Sequence, residues 1–144
     1  MFKRILVPLD GSPAAEAILP QATELARLTG AALVLFRVAL PDEFPGDLLT
    51  EAQHRALEDA EAYLHALKQR LKEEGFRAST VKVRQGHPAE AIVDCAANSA
   101  IDLIAMSTHG RTGLRHIVMG SVAEKVLRAA PTPVFLVRSH GKDT

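Results

Sequence analysis

At 144 residues, 47% of them apolar, the chain is long enough for one domain that buries roughly two thirds of its unfolded surface. Its 17 basic residues balance 17 acidic ones, so it lacks the positive excess of general nucleic-acid and membrane-surface binders. No apolar run approaches the roughly 20 residues of a membrane span, one cysteine excludes an internal disulfide, and Met1-Phe2-Lys3-Arg4 leads straight into a strand rather than a leader; a cytoplasmic protein is expected.

The first predicted element is Ile5-Leu6-Val7-Pro8-Leu9, a short apolar run typical of a strand buried on both faces. Asp10-Gly11-Ser12-Pro13 stops it, with Ser12 as N-cap and Pro13 at the first helical position. Asp10 is suited either to an Asx hydrogen bond within that turn or to a ligand beyond it. A helix over 14–28 ends near Gly30. Residues 32–38 form the second strand, and Pro41, Pro45 and Gly46 place 39–47 in a loop.

A long helix over 48–74 carries Leu57, Ala60, Leu64, Leu67 and Leu71 near helical spacing, charged residues on its other face, and Gly75 at its close. Residues 80–84 alternate in polarity, as a strand at a sheet edge does. Gly86-His87-Pro88 opens a helix over 89–97, on which Cys95 fits as a buried small hydrophobe. The apolar residues Ile101, Leu103, Ile104, Ala105 and Met106 make the fourth strand. Ser121 and Glu124 have capping-box spacing, which predicts Ser121 as N-cap of a helix reaching about 129. Pro131-Thr132-Pro133 breaks that helix, and Val134-Phe135-Leu136-Val137 is the last strand. One domain over 1–138 is expected, with 139–144 as a disordered tail.

The order β-α-β-α-β-α-β-α-β predicts an α/β fold, a three-layer sandwich with a five-stranded parallel sheet covered by helices on both faces. Ligands of such sheets bind beyond the carboxyl ends of the strands, where strand order reverses. If the first strand is central, the Asp10 turn and the loop from Ser107 to Ser121 face one another there.

The chemistry concentrates in residues 106–122, MSTHGRTGLRHIVMGSV. A Gly/Ser turn feeding a helix is a natural anion site, because unpaired N–H groups and the helix dipole point outward. Read from the residues alone, Gly110 and Gly120 are either turn glycines or a phosphate cradle. Ser121 is either a cap or a ligand group, and Arg111 and Arg115 are either solvated or anion-pairing. His109 and His116 have no metal-ligand geometry. The motifs GxxxxGK[ST] and GxSxG are absent, and Asp10 has no second carboxylate with which to share acid–base work.

Gly110 and Gly120 enclose nine residues and Ser121 follows directly. That spacing resembles the Gly-x2-Gly-x9-Gly-Ser/Thr loop of the universal stress protein family, with Ser107 in place of the first glycine. The opening ILVPLDGS, the segment GHPAEAIV and residues 102–137 extend the resemblance over nearly the whole chain. It implies the adenine nucleotide alpha hydrolase-like fold with strand order 3-2-1-4-5. It also implies ATP as ligand, with Mg2+ or Mn2+ on the phosphates, and a homodimer through 134–137. Carried over by position, Pro8 borders the adenine and Asp10 lies near the ribose or a phosphate-bound metal. The Val38 backbone meets the adenine, and Met106 and Ser107 lie along the ribose. Gly110, Arg111, Gly120, Ser121 and Val122 surround the phosphates.

Serine at 107 can hold ordinary extended angles, and its hydroxyl is available to a ribose or phosphate oxygen. The implied function is an adenine-nucleotide-binding regulatory protein of the stress response. A slow ATPase or phosphotransferase and a nucleotide-free dimeric scaffold are the alternatives.

Overall fold

The apolar runs become five parallel strands: β1 (Arg4–Leu9), β2 (Ala32–Leu40), β3 (Ser79–Gln85), β4 (Leu103–Ser107) and β5 (Val134–Val137). The structure, a computed structural model, describes residues 1–40, 51–108 and 120–139. Five helices connect or follow the strands: α1 (Pro13–Glu16), α2 (Leu19–Thr29), α3 (Glu51–Glu73), α4 (Pro88–Asn98) and α5 (Ser121–Ala129). The sheet runs β3-β2-β1-β4-β5, the order that the resemblance implied; the first strand is central, and β3 and β5 are the edges that their residue patterns suggested.

Alternation along the strands sends side chains to two cores. Ile5, Val7, Leu33, Leu35, Leu103 and Ala105 meet α1, α2 and α3 on one face. Leu6, Val34, Phe36, Ile104 and Met106 meet α4 and α5 on the other. Burial of each large apolar side chain contributes roughly 1.5–3 kcal/mol. Both faces are therefore fixed by many small terms, and a one-residue slip of any central strand would exchange them.

Three local readings change. β2 runs to Leu40, two residues into the loop expected over 39–47, and the rest of that loop lies outside the described residues. The helix expected over 14–28 is broken at Ala17 and Ile18. Pro20 is the cause: it has no N–H to return to the carbonyl of residue 16, and its ring crowds that carbonyl, so α1 stops and α2 starts anew. The cap of α5 is Gly120, not Ser121, which is the first helical residue, and no side chain caps this end. The Gly120 N–H donates to the Thr108 carbonyl, holding Gly120 outside the helix, while its own carbonyl accepts from the Glu124 N–H at 2.9 Å. The Glu124 carboxylate turns along the helix to Arg128 at 2.9 Å instead of back to the cap. Ser12 does cap α1, its Oγ accepting from the Ala15 N–H at 3.1 Å. Ser139, assigned to the tail by sequence, is buried; the rest of that segment lies outside the described residues.

At the amino rim β1 and β4 are fastened. The Asp102 carboxylate accepts the N–H of Lys3 at 2.8 Å and of Arg4 at 3.1 Å, and the Asp102 N–H donates to the Arg4 carbonyl at 3.1 Å. At the carboxyl rim the two strands part.

Candidate functional site

The parting of β1 and β4 makes a crevice. β1 follows β2 to its last residue, Leu9 opposite Arg37, and β4 follows β5 to its last, Ser107 opposite Val137. Between themselves β1 and β4 pair only at Ile5 with Leu103 and Leu6 with Ile104. Strand order reverses at this seam, since β1 leads to β2 on one side and β4 to β5 on the other. The opening therefore lies where α/β sheets bind ligands.

One wall is the turn between β1 and α1. Asp10 Oδ1 accepts from the Ser12 N–H at 2.9 Å and from the Ser12 hydroxyl at 2.6 Å, the Asx arrangement anticipated for this turn. Gly11 holds φ +88, a left-handed conformation that only glycine adopts without strain. The Arg37 guanidinium of β2 lies close under it, and a Cβ on Gly11 would meet Arg37 Nη1 at 3.0 Å.

That arginine continues into a chain of polar contacts on the α3 side. Its guanidinium covers the Tyr63 ring at 5.0 Å, Tyr63 donates its hydroxyl hydrogen to Glu16, and Arg70 pairs with Glu16 at 3.4 Å. Burial, then the hydrogen bond to Glu16 and its negative charge, push the Tyr63 hydroxyl above the usual tyrosine range. Sequence reasoning missed this group. Its one local signal is an arginine inside the otherwise apolar strand ALVLFRVAL.

The other wall is the end of β4 and the start of α5. The Thr108 N–H donates to the Val137 carbonyl at 3.1 Å, which extends the β4–β5 pairing past the strand end. The Thr108 carbonyl accepts from Gly120, so the two ends of the segment 109–119 are tied together at the crevice. Ser121, at the first position of α5, is exposed. Its N–H belongs to the group of first-turn donors that a helix leaves without helical partners.

The residues singled out from sequence separate by face. Met106 belongs to the core beside α4 and α5, with Val38 and Val122 packed against it, and the alternation of β1 places Pro8 on the same face as Leu6. These four therefore share the face on which α5 begins. Gly120 and Ser121 lie at that helix start. Ser107 faces the opposite way, and its Oγ donates to the Ala15 carbonyl at 3.1 Å. The hydroxyl considered for a ribose or phosphate oxygen is thus engaged by α1. Gly110 and Arg111 lie outside the described residues.

Among the described residues, no group of three or more His, Cys, Asp or Glu side chains is placed to hold a metal ion by itself. One carboxylate at the crevice, Asp10, suits a different arrangement, in which a hard cation such as Mg2+ takes most of its oxygens from phosphates and water. No helix among the described residues is long and apolar enough to cross a membrane.

The model of the universal stress protein family matches residues 1–138. The chain belongs to this family. A universal stress protein of Thermus aquaticus is 35% identical over 140 residues, covering 96% of this chain and all of that one. One from Methanocaldococcus jannaschii is 32% identical over 150 residues, covering 99% of this chain and 86% of that protein. Among solved structures, the hypothetical protein MJ0577 superposes with a TM-score of 0.84 at 30% identity, covering 100% of this chain and 99% of that one. The membership accounts for the strand order and for the Gly-x9-Gly-Ser spacing in the sequence.

Proposed function

We propose that this universal stress protein binds an adenine nucleotide, ATP with Mg2+ or Mn2+, in the crevice between β1 and β4, and acts as a nucleotide-dependent regulator in the stress response. The observation that carries this reading is the early end of the β1–β4 pairing, with Pro8, Val38, Met106 and Val122 on one face and the open start of α5 beside them. An apolar wall suits the adenine, and a helix start with a glycine cap suits the phosphates. Asp10, already an acceptor in its turn, holds the metal through the phosphate chain, which supplies the charge neutralisation that one loop lacks.

Two solved proteins of this fold carry related ligands: one is a universal stress protein in complex with cAMP (22% identity, TM-score 0.72). The other, from Archaeoglobus fulgidus, is in complex with dAMP (24% identity, TM-score 0.67). At these identities the likeness is one of fold, and the residues of this chain carry the argument. Mass spectrometry of small molecules released from freshly purified protein, followed by calorimetric titration with ATP and Mg2+, tests it. The expected result is micromolar-range binding that requires the metal; no released nucleotide and no heat of binding would refute it.

We further propose a homodimer through β5. This edge strand leaves one row of backbone groups unpaired within the sheet, and Phe135 is exposed on it. A second copy placed antiparallel across a two-fold axis satisfies both.

A further inference from the structure

Arg37 is a cation in an apolar strand, and the fold gives it a definite place. It stands opposite Leu9 at the last pairing of β1 and opposite Val83 of β3, and alternation from Leu33 and Leu35 sends its side chain to the α3 face. A charge among such neighbours needs partners that offset its lost water. The Tyr63 ring, 5.0 Å from the guanidinium carbon, is one of them. The turn between β1 and α1 lies against the same guanidinium. A Cβ on Gly11 would lie 3.0 Å from Nη1, 3.1 Å from Nη2 and 3.2 Å from Cζ, so the flat of the guanidinium occupies the space that a side chain at 11 would fill.

The element that this turn opens cannot hold its own shape. α1 has four residues, a single turn, and one turn makes too few hydrogen bonds to offset the entropy of forming it. It is braced on α3 at both ends. Its start rests on α3 through Gly11, Arg37 and Tyr63, and its end through Glu16, which accepts from the Tyr63 hydroxyl and pairs with Arg70. Asp10 belongs to the braced part, since its Oδ1 holds the Ser12 N–H at 2.9 Å and the Ser12 hydroxyl at 2.6 Å. After burial and Glu16, the charges of Arg37 and Asp10 also act on the Tyr63 hydroxyl, in opposite directions, so Asp10 is within electrostatic reach of the same cluster.

We propose that Arg37 is a positioning residue of the nucleotide site: seated on the Tyr63 ring, it supports the Gly11 turn and so sets where the Asp10 carboxylate meets a phosphate-bound metal. This rests on the nucleotide reading above and adds to it a residue of β2, on the side of β1 away from the crevice. The effect has a direction that a merely structural arginine does not share. Loss of the guanidinium should weaken the metal-dependent part of binding and spare the adenine end, whereas a general loosening of the fold would weaken both.

The test titrates the parent, Arg37→Ala and Arg37→Lys with ATP and Mg2+ and with adenosine, and follows amide hydrogen exchange of the ligand-free proteins by NMR. Arg37→Ala should weaken binding of ATP with Mg2+ about tenfold, the scale of losing a group that orients a metal ligand, and raise the Mg2+ concentration that half-saturates binding. Adenosine, which has no phosphate to hold a metal, should bind this variant and the parent alike. Arg37→Lys keeps a cation on the Tyr63 ring and should recover most of the loss. Without ligand, the Ser12 amide, bonded to Asp10 Oδ1, should exchange faster in Arg37→Ala than in the parent, while amides of the central strands keep the parent's rates. Equal losses for adenosine and for ATP with Mg2+, no recovery by Lys, or unchanged Ser12 exchange overturns the proposal. If the parent binds no nucleotide but Ser12 exchange quickens as described, Arg37 still positions Asp10 and the nucleotide reading falls. If ATP with Mg2+ binds the parent and Arg37→Ala equally, the nucleotide reading stands and Arg37 has no part in it.

Discussion

Ser107 Oγ donates to the carbonyl of Ala15 at 3.1 Å, joining the end of β4 to α1 across the crevice. That carbonyl lies where α1 ends, because Pro20 prevents the helical ladder from continuing. Serine in place of the family's glycine thus closes a gap that a proline elsewhere in the chain opens. Ser107→Ala should cost about 1–3 kcal/mol by leaving a buried acceptor unmet, and Ser107→Gly up to about 1 kcal/mol more through backbone entropy. Urea unfolding measures both, and unchanged midpoints would sink the argument. ATP affinity of Ser107→Gly should be kept or improved, since the hydroxyl is engaged elsewhere; a large loss would show that it reaches the ligand.

Gly11→Ala meets two penalties of different origin. The backbone at φ +88 is strained for any residue with a Cβ, by roughly 1–2 kcal/mol, and the new methyl presses on the Arg37 guanidinium. Combining it with Arg37→Ala should recover the steric part and leave the backbone part. A double-mutant cycle in which the two changes simply add would show that the contact carries no energy.

Tyr63 is the single tyrosine of the chain, so its phenolate absorbance can be followed without interference. Its pKa is raised in the folded state, first by burial and then by the Glu16 hydrogen bond, so the fold retains a proton that the unfolded chain releases near pH 10. The stabilising contribution is complete below that pH and declines as pH rises above it. Absorbance titration should show little phenolate in the native protein where the urea-unfolded chain is half ionised. Coincident curves would contradict the burial, and Glu16→Gln should move the native curve toward the unfolded one.

Gly120 holds φ −68, an angle open to any residue, so a side chain there tests space rather than strain. Gly120→Val should abolish ATP binding by placing a branched group where the phosphates approach the backbone. Its stability should fall by only about 1 kcal/mol, since valine caps a helix less well than glycine. Calorimetric titration with parent-like heats would remove the phosphate assignment from this turn.

Phe135, 37% exposed on the edge strand β5, should be central to the dimer. Phe135→Lys is expected to give monomers by light scattering at micromolar concentration with little change in the monomer fold. A monomeric parent protein would refute the dimer directly.

The parts of the fold legible in the sequence are those set by short-range pattern. The apolar runs of β1 and β2, the Ser12-Pro13 start and the Gly30 stop each specify their structure within a few residues. The helix break between α1 and α2 was legible too, since Pro20 sits inside the apparent helix, but the apolar periodicity on either side outweighed it. The Ser121 cap failed for a non-local reason. Gly120 is held by Thr108, which belongs to a different element, and a capping box counted along the chain contains no trace of that bond. The contact of Arg37 with Tyr63 and the bond from Tyr63 to Glu16 likewise join residues far apart in sequence. Pro8, Val38, Met106 and Val122 fell on one face because strand alternation and family spacing agree about them. Ser107 differed by one step of the same alternation.

The bond from Gly120 to Thr108 gives the segment between them a fixed base, because both anchoring residues are held by the sheet and by α5 whatever lies between. The entropy of closing a flexible loop grows only as the logarithm of its length, about 0.6 kcal/mol for each doubling. An insert joined to two such anchors changes the rest of the fold little, so the frame of Thr108 and Gly120 can be refitted to a different ligand or partner while the sheet and α5 stay as they are.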